Sequence, residues 1–300
     1  MYNGIINVYK EAGFTSHDVV AKLRGILKQK KIGHTGTLDP DAVGVLPVCL
    51  GSGTKLCDML TDMSKEYRAE FMLGKVTDTQ DISGKLLSEK RVNVTAPQTE
   101  AVIRSFVGVY EQIPPMYSAI KVDGKKLYQL AREGKEVERK ARPVRIDYIT
   151  IEKLELPEVE MTVGCSKGTY IRTLCHDIGQ KLECGAVMTR LERTRVGEFA
   201  LEKSLRLSQI EEAVKEDIIE RYILPVEEVF LDYRAVAVQA KFRKLIDNGN
   251  SFYAGMTIEK GSYNDKEPVR VYNDDGKFYG IFEYCLQEER FKPVKMFMEK

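Results

Sequence analysis

The stretch from Gly33 to Gly53 combines a carboxylate with a backbone suited to hold it in place. Asp39 precedes Pro40, which favours extended geometry at Asp39, and the surrounding glycines allow close backbone approach or positive φ. Basic residues lie before this stretch and the apolar run 43–50 lies within it, so we expect a carboxylate partly sheltered from water and sensitive to a neighbouring cation. Such a group is suited to catalysis. An Asp-Pro pair among glycines is also an ordinary turn, and the stretch alone leaves both interpretations open.

Arg172 and Tyr67 are the other residues whose types and positions suggest a site. Arg172 follows a predicted strand and opens a predicted helix. A guanidinium there can hold a buried carboxylate through a bidentate bond, and the alternative is a surface ion pair worth less than about 1 kcal/mol. Tyr67 begins a predicted strand with one largely apolar face, where it is either a core aromatic or the border of a pocket. His176 and Asp177 are adjacent in a helix and do not share a face, so we interpret them as structural.

Hydrophobic periodicity predicts the elements that would position these residues. The first are a strand over 3–9, a helix capped by Thr15 or Ser16, a loop over 33–53, a short helix over 55–63 and a strand over 66–73. The next are a helix from a capping box of Thr95 and Gln98 to Phe106, a strand over 159–165, a helix carrying Leu174, Ile178 and Leu182, and a helix from a capping box of Ser208 and Glu211 to about Tyr222.

The pair Leu224-Pro225 marks a predicted domain boundary, because short strand patterns dominate beyond it. Strands are predicted at 236–238, 257–258, 269–272, 278–282 and 294–297, with a hairpin turn at 273–276. We therefore predict a large domain over 1–224 and a small β-rich, barrel-like module over 225–300.

The composition is that of an ordinary soluble protein, with 43% hydrophobic and 30% charged residues in a chain of 300. No apolar run approaches the roughly eighteen residues that a membrane span needs, and the sequence predicts a soluble, cytoplasmic protein. The six cysteines form no C-x-x-C pair and only three histidines are present, so a zinc site is poorly supported. Walker, G-x-S-x-G and H-E-x-x-H motifs are missing. The sequence therefore does not support a nucleoside triphosphatase, a serine hydrolase or a zincin.

Positive charge is concentrated in two segments although the net charge is only +1. Residues 19–38 contain five cations and no acid, and residues 117–145 contain nine cations and four acids. Tyr117 and Tyr128 stand among the cations of the second segment, a mixture that suits stacking on bases and contact with phosphates. A mobile charged insertion has the same composition, so both interpretations stay open at this point.

Several motifs together resemble the TruB family of pseudouridine synthases. They are G-H-T-G-T-L-D-P at 33–40, K-E-Y at 65–67, Y-S-A-I-K at 117–121 with G-K-K-L-Y at 124–128, and G-T-Y-I-R-T-L at 168–174. The blocks follow the family's order and spacing and cover most of residues 1–224. The C-terminal region resembles the family's PUA-type module more weakly. The resemblance implies an α+β fold with a mixed, largely antiparallel sheet flanked by helices.

The resemblance also implies an activity and a set of site residues. The family isomerises the uridine at position 55 in the T loop of tRNA by base flipping, cleavage of the N-glycosidic bond and rejoining through C5, without cofactor or metal. Asp39 matches the essential aspartate, as nucleophile or as general base, and Arg172 matches the arginine that pairs with it and is expected to keep it ionised. The remaining matches to the uridine pocket are His34, Tyr67, Tyr170 and Leu191.

The basic insertion, residues 114–145, matches the family segment that closes over the T loop. Its expected phosphate contacts are Lys121, Lys125, Lys126, Arg132 and Arg142. Residues 226–300 contain twelve cations and thirteen acids, so contact between the C-terminal module and the acceptor end of tRNA stays open. By analogy we expect a monomer. The alternative function is a noncatalytic RNA-binding or tRNA-folding chaperone, which would need no carboxylate at Asp39.

Overall fold

The computed structural model describes residues 1–122 and 124–298. The elements before the basic insertion are β1 (Gly4–Lys10), α1 (Ser16–Ile26), β2 (Ile32–His34), β3 (Val43–Leu50), α2 (Cys57–Thr61), β4 (Lys65–Leu73), β5 (Lys75–Thr77), β6 (Leu86–Glu89), α3 (Ala96–Arg104) and β7 (Gly108–Gln112). Then follow β8 (Lys121–Val122), β9 (Lys125–Lys126), α4 (Leu127–Arg132), β10 (Arg142–Glu155), β11 (Glu158–Cys165), α5 (Ile171–Lys181), β12 (Ala186–Val196), β13 (Phe199–Ala200), α6 (Leu207–Lys215) and β14 (Ile223–Leu224). The C-terminal elements are β15 (Arg234–Ala237), α7 (Arg243–Asp247), β16 (Phe252–Tyr253), β17 (Pro268–Tyr272), β18 (Phe278–Cys285) and β19 (Arg290–Met296).

A ten-stranded sheet organises the larger part of the chain. Its main path runs β14-β1-β3-β12-β4-β11-β10-β7, with β2 paired to β3 and β13 paired to β12. All neighbours are antiparallel except β3 and β12, which pair in parallel. Helices α3 and α5 help to form one core cluster against the sheet, and α1 and α6 help to form another. The predicted α+β architecture, with a mixed and largely antiparallel sheet, is confirmed.

The C-terminal strands form a separate five-stranded sheet in the order β15-β17-β18-β19-β16. This sheet has an apolar core of its own. A further cluster joins the two parts, because Val226, Phe230 and Phe297 pack with Ile5 and Val45 of the large sheet. None of the helices within residues 1–122 and 124–298 combines the length and the apolar character that a membrane span requires.

The prediction of a loop over 33–53 is wrong for most of that stretch. Residues 43–50 form β3 in the interior of the large sheet, and nearly all of this strand is buried. A continuous apolar run is typical of a strand covered on both faces. Gly44 has φ +106°, and a Cβ there would lie 2.2 Å from the Arg193 carbonyl oxygen, so only glycine permits the approach of β3 to β12.

Some predicted elements also differ at their ends. The helix assigned to Ser208 and Glu211 begins after Arg206, whose backbone N–H donates to the Gln209 side chain at 2.9 Å, and it ends at Lys215. Residues 257–258 form no strand, and only an isolated bridge links Val238 to Thr257. The long strands β10 and β12 escape prediction, since their side chains alternate irregularly around bulges.

Candidate active site

Asp39 lies in the turn between β2 and β3, and the helix α1 holds that turn from one side. The backbone N–H of Leu38 donates to the buried Ser16 hydroxyl at 2.9 Å. The backbone N–H of Ala42 donates to the Asp39 carbonyl at 3.2 Å and closes the turn. Thr15 caps α1 with a complete capping box that includes Asp18, which fixes the helix start that carries Ser16.

Lys10 and Gly13 hold the other side of the turn. The Lys10 ammonium donates to the Pro40 carbonyl at 2.9 Å, and the Gly13 N–H donates to the same oxygen at 3.1 Å. Lys10 is completely buried, and this burial lowers its pKa to about 8 although Asp39 opposes the shift. Nothing in the sequence singles out Lys10, because a lysine at the end of a strand is normally exposed.

Arg172 pairs with Asp39 through two nitrogens. Its Nε lies 2.9 Å from Oδ2 and its Nη2 lies 3.3 Å from Oδ1. The guanidinium also donates to the carbonyls of Tyr117 at 2.9 Å and Thr79 at 3.0 Å, and it contacts the Asp81 carboxylate at 3.4 Å. The Arg172 side chain is 6% exposed and the Asp39 side chain is 40% exposed. The arginine is thus buried, whereas the carboxylate that it binds remains partly exposed.

The pKa of Asp39 is raised above its ordinary value. The largest cause is burial of the carboxyl, which removes water from it. The second is Arg172, which lowers the pKa but does not cancel the effect of burial. Asp81 adds a smaller shift upward. Arg172 lowers the pKa of Asp39 as expected, but removal of water from the carboxylate has the larger effect and sets the net direction.

Asp81 is a member of this site that sequence analysis misses. It lies in the turn between β5 and β6, where it accepts hydrogen bonds from the Thr79 hydroxyl at 2.8 Å and from the backbone N–H of Ser83 at 3.1 Å. Its second oxygen faces Arg172. The available signal is an aspartate among Thr and Ser residues, which is also the ordinary composition of a turn.

The predicted aromatic residues lie on two elements next to the ion pair. Tyr67 is in β4, half-buried against the core that includes Leu191 of β12. Tyr170 precedes α5, and the Gln112 side chain holds its backbone N–H at 2.8 Å and its carbonyl at 3.0 Å. Burial raises the pKa of both tyrosines, and the Asp39 charge contributes in the same direction. The structure therefore brings both rings within electrostatic range of Asp39.

His34 lies at the end of β2, before the Asp39 turn. Its Nδ1 accepts the backbone N–H of Gly36 at 3.3 Å, so the ring proton of the neutral form is assigned to Nε2. The ring of His17 on α1 approaches edge-on, with 5.2 Å between centroids. Burial is the main cause that lowers the pKa of His34, followed by the His17 and Arg193 charges.

The basic insertion is anchored at the ion pair and extends away from it. Tyr117 at its start accepts a hydrogen bond from Arg172 at 2.9 Å, and the Tyr128 N–H donates to the Ser118 carbonyl at 3.0 Å. Lys126 and Arg132 lie over the Tyr128 ring, 5.6 and 5.4 Å from its centroid. The predicted phosphate contacts at 121, 125, 126, 132 and 142 form no ion pair with an acidic group in the described part of the chain.

In residues 1–122 and 124–298, no group of three or more His, Cys, Asp or Glu side chains converges as metal ligands would. All six cysteines are free thiols.

Comparison with known proteins adds independent findings. A family model described as TruB family pseudouridylate synthase (N terminal domain) matches residues 24–171, and one described as tRNA pseudouridylate synthase B C-terminal domain matches residues 172–231. Curated proteins named tRNA pseudouridine synthase B are similar to this chain over nearly its whole length. The one from Lachnoclostridium phytofermentans is 53% identical over 99% of this chain and 100% of its own, and the one from Clostridium novyi is 48% identical over 93% and 94%.

Two solved structures have the same fold. A Cbf5-Nop10-Gar1 complex contains a chain that matches with a TM-score of 0.72 and 28% identity, covering 98% of this chain and 85% of that one. An H/ACA RNP bound to a substrate RNA containing 2′-deoxyuridine contains a chain that matches with a TM-score of 0.71 and 26% identity, covering 99% and 85%.

Proposed function

This chain belongs to the TruB family of pseudouridylate synthases and isomerises uridine in tRNA to pseudouridine, and we propose that it acts at position 55 in the T loop with Asp39 as the essential carboxylate. The observation that carries the proposal is the bidentate pair of a buried Arg172 with an Asp39 whose side chain is partly exposed. Such a carboxylate can meet a substrate while the arginine holds its orientation.

The isomerisation breaks the bond between C1′ and N1 of the uridine and forms a bond between C1′ and C5. The proton of C5 is released and N1 gains a proton, so the product is an isomer of the substrate. No co-reactant is needed, because the base that leaves is the base that returns. Asp39 acts in its ionised form, either by attack on C1′ or by removal of a 2′ proton. Arg172 supplies the charge that opposes the rise in the pKa of Asp39 caused by burial.

We assign the pocket for the flipped uridine to Tyr67, Tyr170, His34 and Leu191. Flipping a base costs a few kcal/mol of stacking, and stacking on an aromatic ring returns about 1–3 kcal/mol per base. Tyr67 is the stacking ring in this proposal, because it is half-buried on the sheet next to the Asp39 turn. Tyr170 and the apolar Leu191 line the pocket, and His34 at the end of β2 holds the flipped conformation of the uridine.

The T stem-loop is proposed to lie against the basic insertion. The five cations named above are not committed to acidic partners in the described chain, so they are available for phosphates. The acceptor end of tRNA is assigned to the C-terminal module, which contains the run Lys241-Phe242-Arg243-Lys244. Arg243 in this run is paired with Asp275 at 2.7 Å. This local charge supports contact although the module as a whole has no excess of cations.

We propose that the catalytic domain spans residues 1–224, that the RNA-binding module spans 225–300, and that the protein is a monomer in the cytoplasm. The two separate sheets support that division, and six free thiols are typical of a reducing compartment. Light scattering of the purified protein tests the monomer.

The test of Asp39 is its replacement by Asn. The D39N protein should release no tritium from C5-labelled uridine in a T-arm hairpin and should bind that RNA nearly as well as the parent. Asp41 is exposed in the same turn, and D41N is the matched control that should retain turnover. Retained turnover in D39N would remove Asp39 from the catalytic role.

A further inference from the structure

Arg193 is a fully buried cation beside the candidate site, and its side chain is only 1% exposed. It lies in β12 directly opposite Tyr67 in β4. On its other side it is the parallel partner of Gly44 in β3. Arg193 therefore occupies the point at which the strand carrying the stacking ring and the strand following the Asp39 turn meet.

The guanidinium of Arg193 binds both ends of the Asp39 turn. Its Nε donates to the Val45 carbonyl at 2.7 Å, and its Nη2 donates to the Gly36 carbonyl at 3.3 Å. Its charge opposes the rise in the pKa of Tyr67, its register partner on β4, that burial causes. One planar cation thus connects the residues before and after Asp39 with the proposed stacking ring.

Arg193 has no acidic partner in residues 1–122 and 124–298. Burial of a charge without a counter-charge is costly, and an apolar side chain of similar size would fill the same space without that penalty. Two other buried cations, Lys10 and Lys65, are near enough for Arg193 to lower the pKa of each. Desolvation and repulsion both disfavour a cation at this position. A buried arginine is expected under those conditions where the geometry of its hydrogen bonds is needed.

We propose that Arg193 is a positioning residue that sets the separation between the Asp39 carboxylate and the Tyr67 ring. The inference rests on the proposed roles of those two residues. Its planar fork binds two carbonyls of the Asp39 turn, and its backbone is paired with that of Tyr67 on the neighbouring strand. A flipped uridine stacked on Tyr67 is then presented to Asp39 at a separation that the arginine determines.

Replacement of Arg193 by Met keeps a side chain of similar volume and removes both hydrogen bonds to the Asp39 turn. We expect the single-turnover rate of tritium release from a C5-labelled T-arm hairpin to fall about 100-fold, as a displacement of about 1 Å in reacting groups does. The dissociation constant for the hairpin, measured by filter binding, should change by less than about threefold, because Arg193 is buried away from the RNA. Arg195 lies two residues along the same strand with a half-exposed side chain, and R195M is the matched control with turnover unchanged.

A double-mutant cycle with Y67F separates positioning from a general loss of stability. If Arg193 acts through the tyrosine hydroxyl, R193M should reduce the rate much less in the Y67F protein than in the parent. R193K supplies a second variant if R193M does not fold. It retains an amine but not the fork, and its rate should fall about 10-fold.

The proposal is overturned if R193M or R193K turns over within about twofold of the parent, or if R193M and Y67F are additive within about twofold. A rate loss that tracks a lower melting temperature and disappears on cooling also overturns it. D39N is measured in parallel: active D39N defeats the proposed role of Asp39, whereas inactive D39N with active R193M defeats only the role of Arg193.

Discussion

The Arg172 guanidinium lies 2.9 Å from the Asp39 carboxylate, and the two residues are separated by 133 positions in the chain. Every nitrogen of this arginine has a partner, since the carbonyls of Thr79 and Tyr117 and the Asp81 carboxylate take the remaining donors. Arg172 is therefore fixed in orientation, and it transmits that orientation to Asp39. The first two predictions test this arrangement.

Replacement of Arg172 by Lys should reduce turnover about 100-fold and change RNA affinity far less. Lysine retains the charge but cannot bind both carboxylate oxygens while it satisfies two carbonyls. The measurement is single-turnover tritium release together with filter binding of the T-arm hairpin. The matched control is R190K, because Arg190 forms an exposed ion pair with Glu70. Equal turnover in R172K would refute the importance of the bidentate pair.

Replacement of Asp81 by Asn should reduce turnover about 10-fold, because the buried arginine loses one of its fixed partners. The substitution also removes a negative charge that raises the pKa of Asp39, so the acid limb of the pH-rate profile should move to lower pH. Asp78 lies in the same hairpin and binds the Lys85 N–H at 2.7 Å, and D78N is the control. A profile that does not move in D81N would contradict the coupling between the two carboxylates.

The raised pKa of Asp39 predicts a dependence of both activity and stability on pH. Turnover requires the ionised form, so it should fall as pH decreases through a midpoint above the ordinary value of 3.8. A carboxyl with a raised folded-state pKa binds its proton more tightly when folded, so its contribution to stability declines as pH rises from 3.8 through the raised value. The contribution of Asp39 is obtained by denaturant titration of the parent and of D39N at each pH. An acid limb at or below 3.8 would contradict the effect of burial.

Replacement of Lys121 and Lys125 by Gln should weaken RNA binding and reduce its dependence on salt. Each lost phosphate contact lowers the slope of log K against log salt by about 0.7–0.9. Turnover at saturating RNA should be retained, because neither lysine contacts the Asp39 and Arg172 pair. Lys153 is ion-paired with Glu155 at 2.9 Å on β10, and K153Q should leave the slope unchanged. An unaltered slope in the double variant would place the RNA elsewhere.

Local patterns were sufficient to predict several elements around the site. The start of α1 at Thr15, the start of α3 at Thr95 and the strand β4 agree with capping and alternation in the sequence. The motifs that resemble a known family also assigned Asp39 and Arg172 to one site. Distant contacts were not predictable in this way. Asp81, Lys10 and Arg193 have side chains that are ordinary on a surface. Nothing in their sequence neighbours indicates that the fold buries Lys10 and Arg193 and places Asp81 against Arg172.

The sequence by itself determined the residue types at the site, the local start of the helices that carry them and the family to which they belong. The tertiary structure decided which carboxylates and cations share the buried volume, and it decided the direction in which the pKa of Asp39 moves. The helix starts can be predicted from the sequence because hydrogen bonding within one turn depends on residues three or four positions apart. Desolvation and charge pairing depend instead on all atoms within a few ångströms, and the fold gathers those atoms from β1, the turn between β5 and β6, β12 and α5.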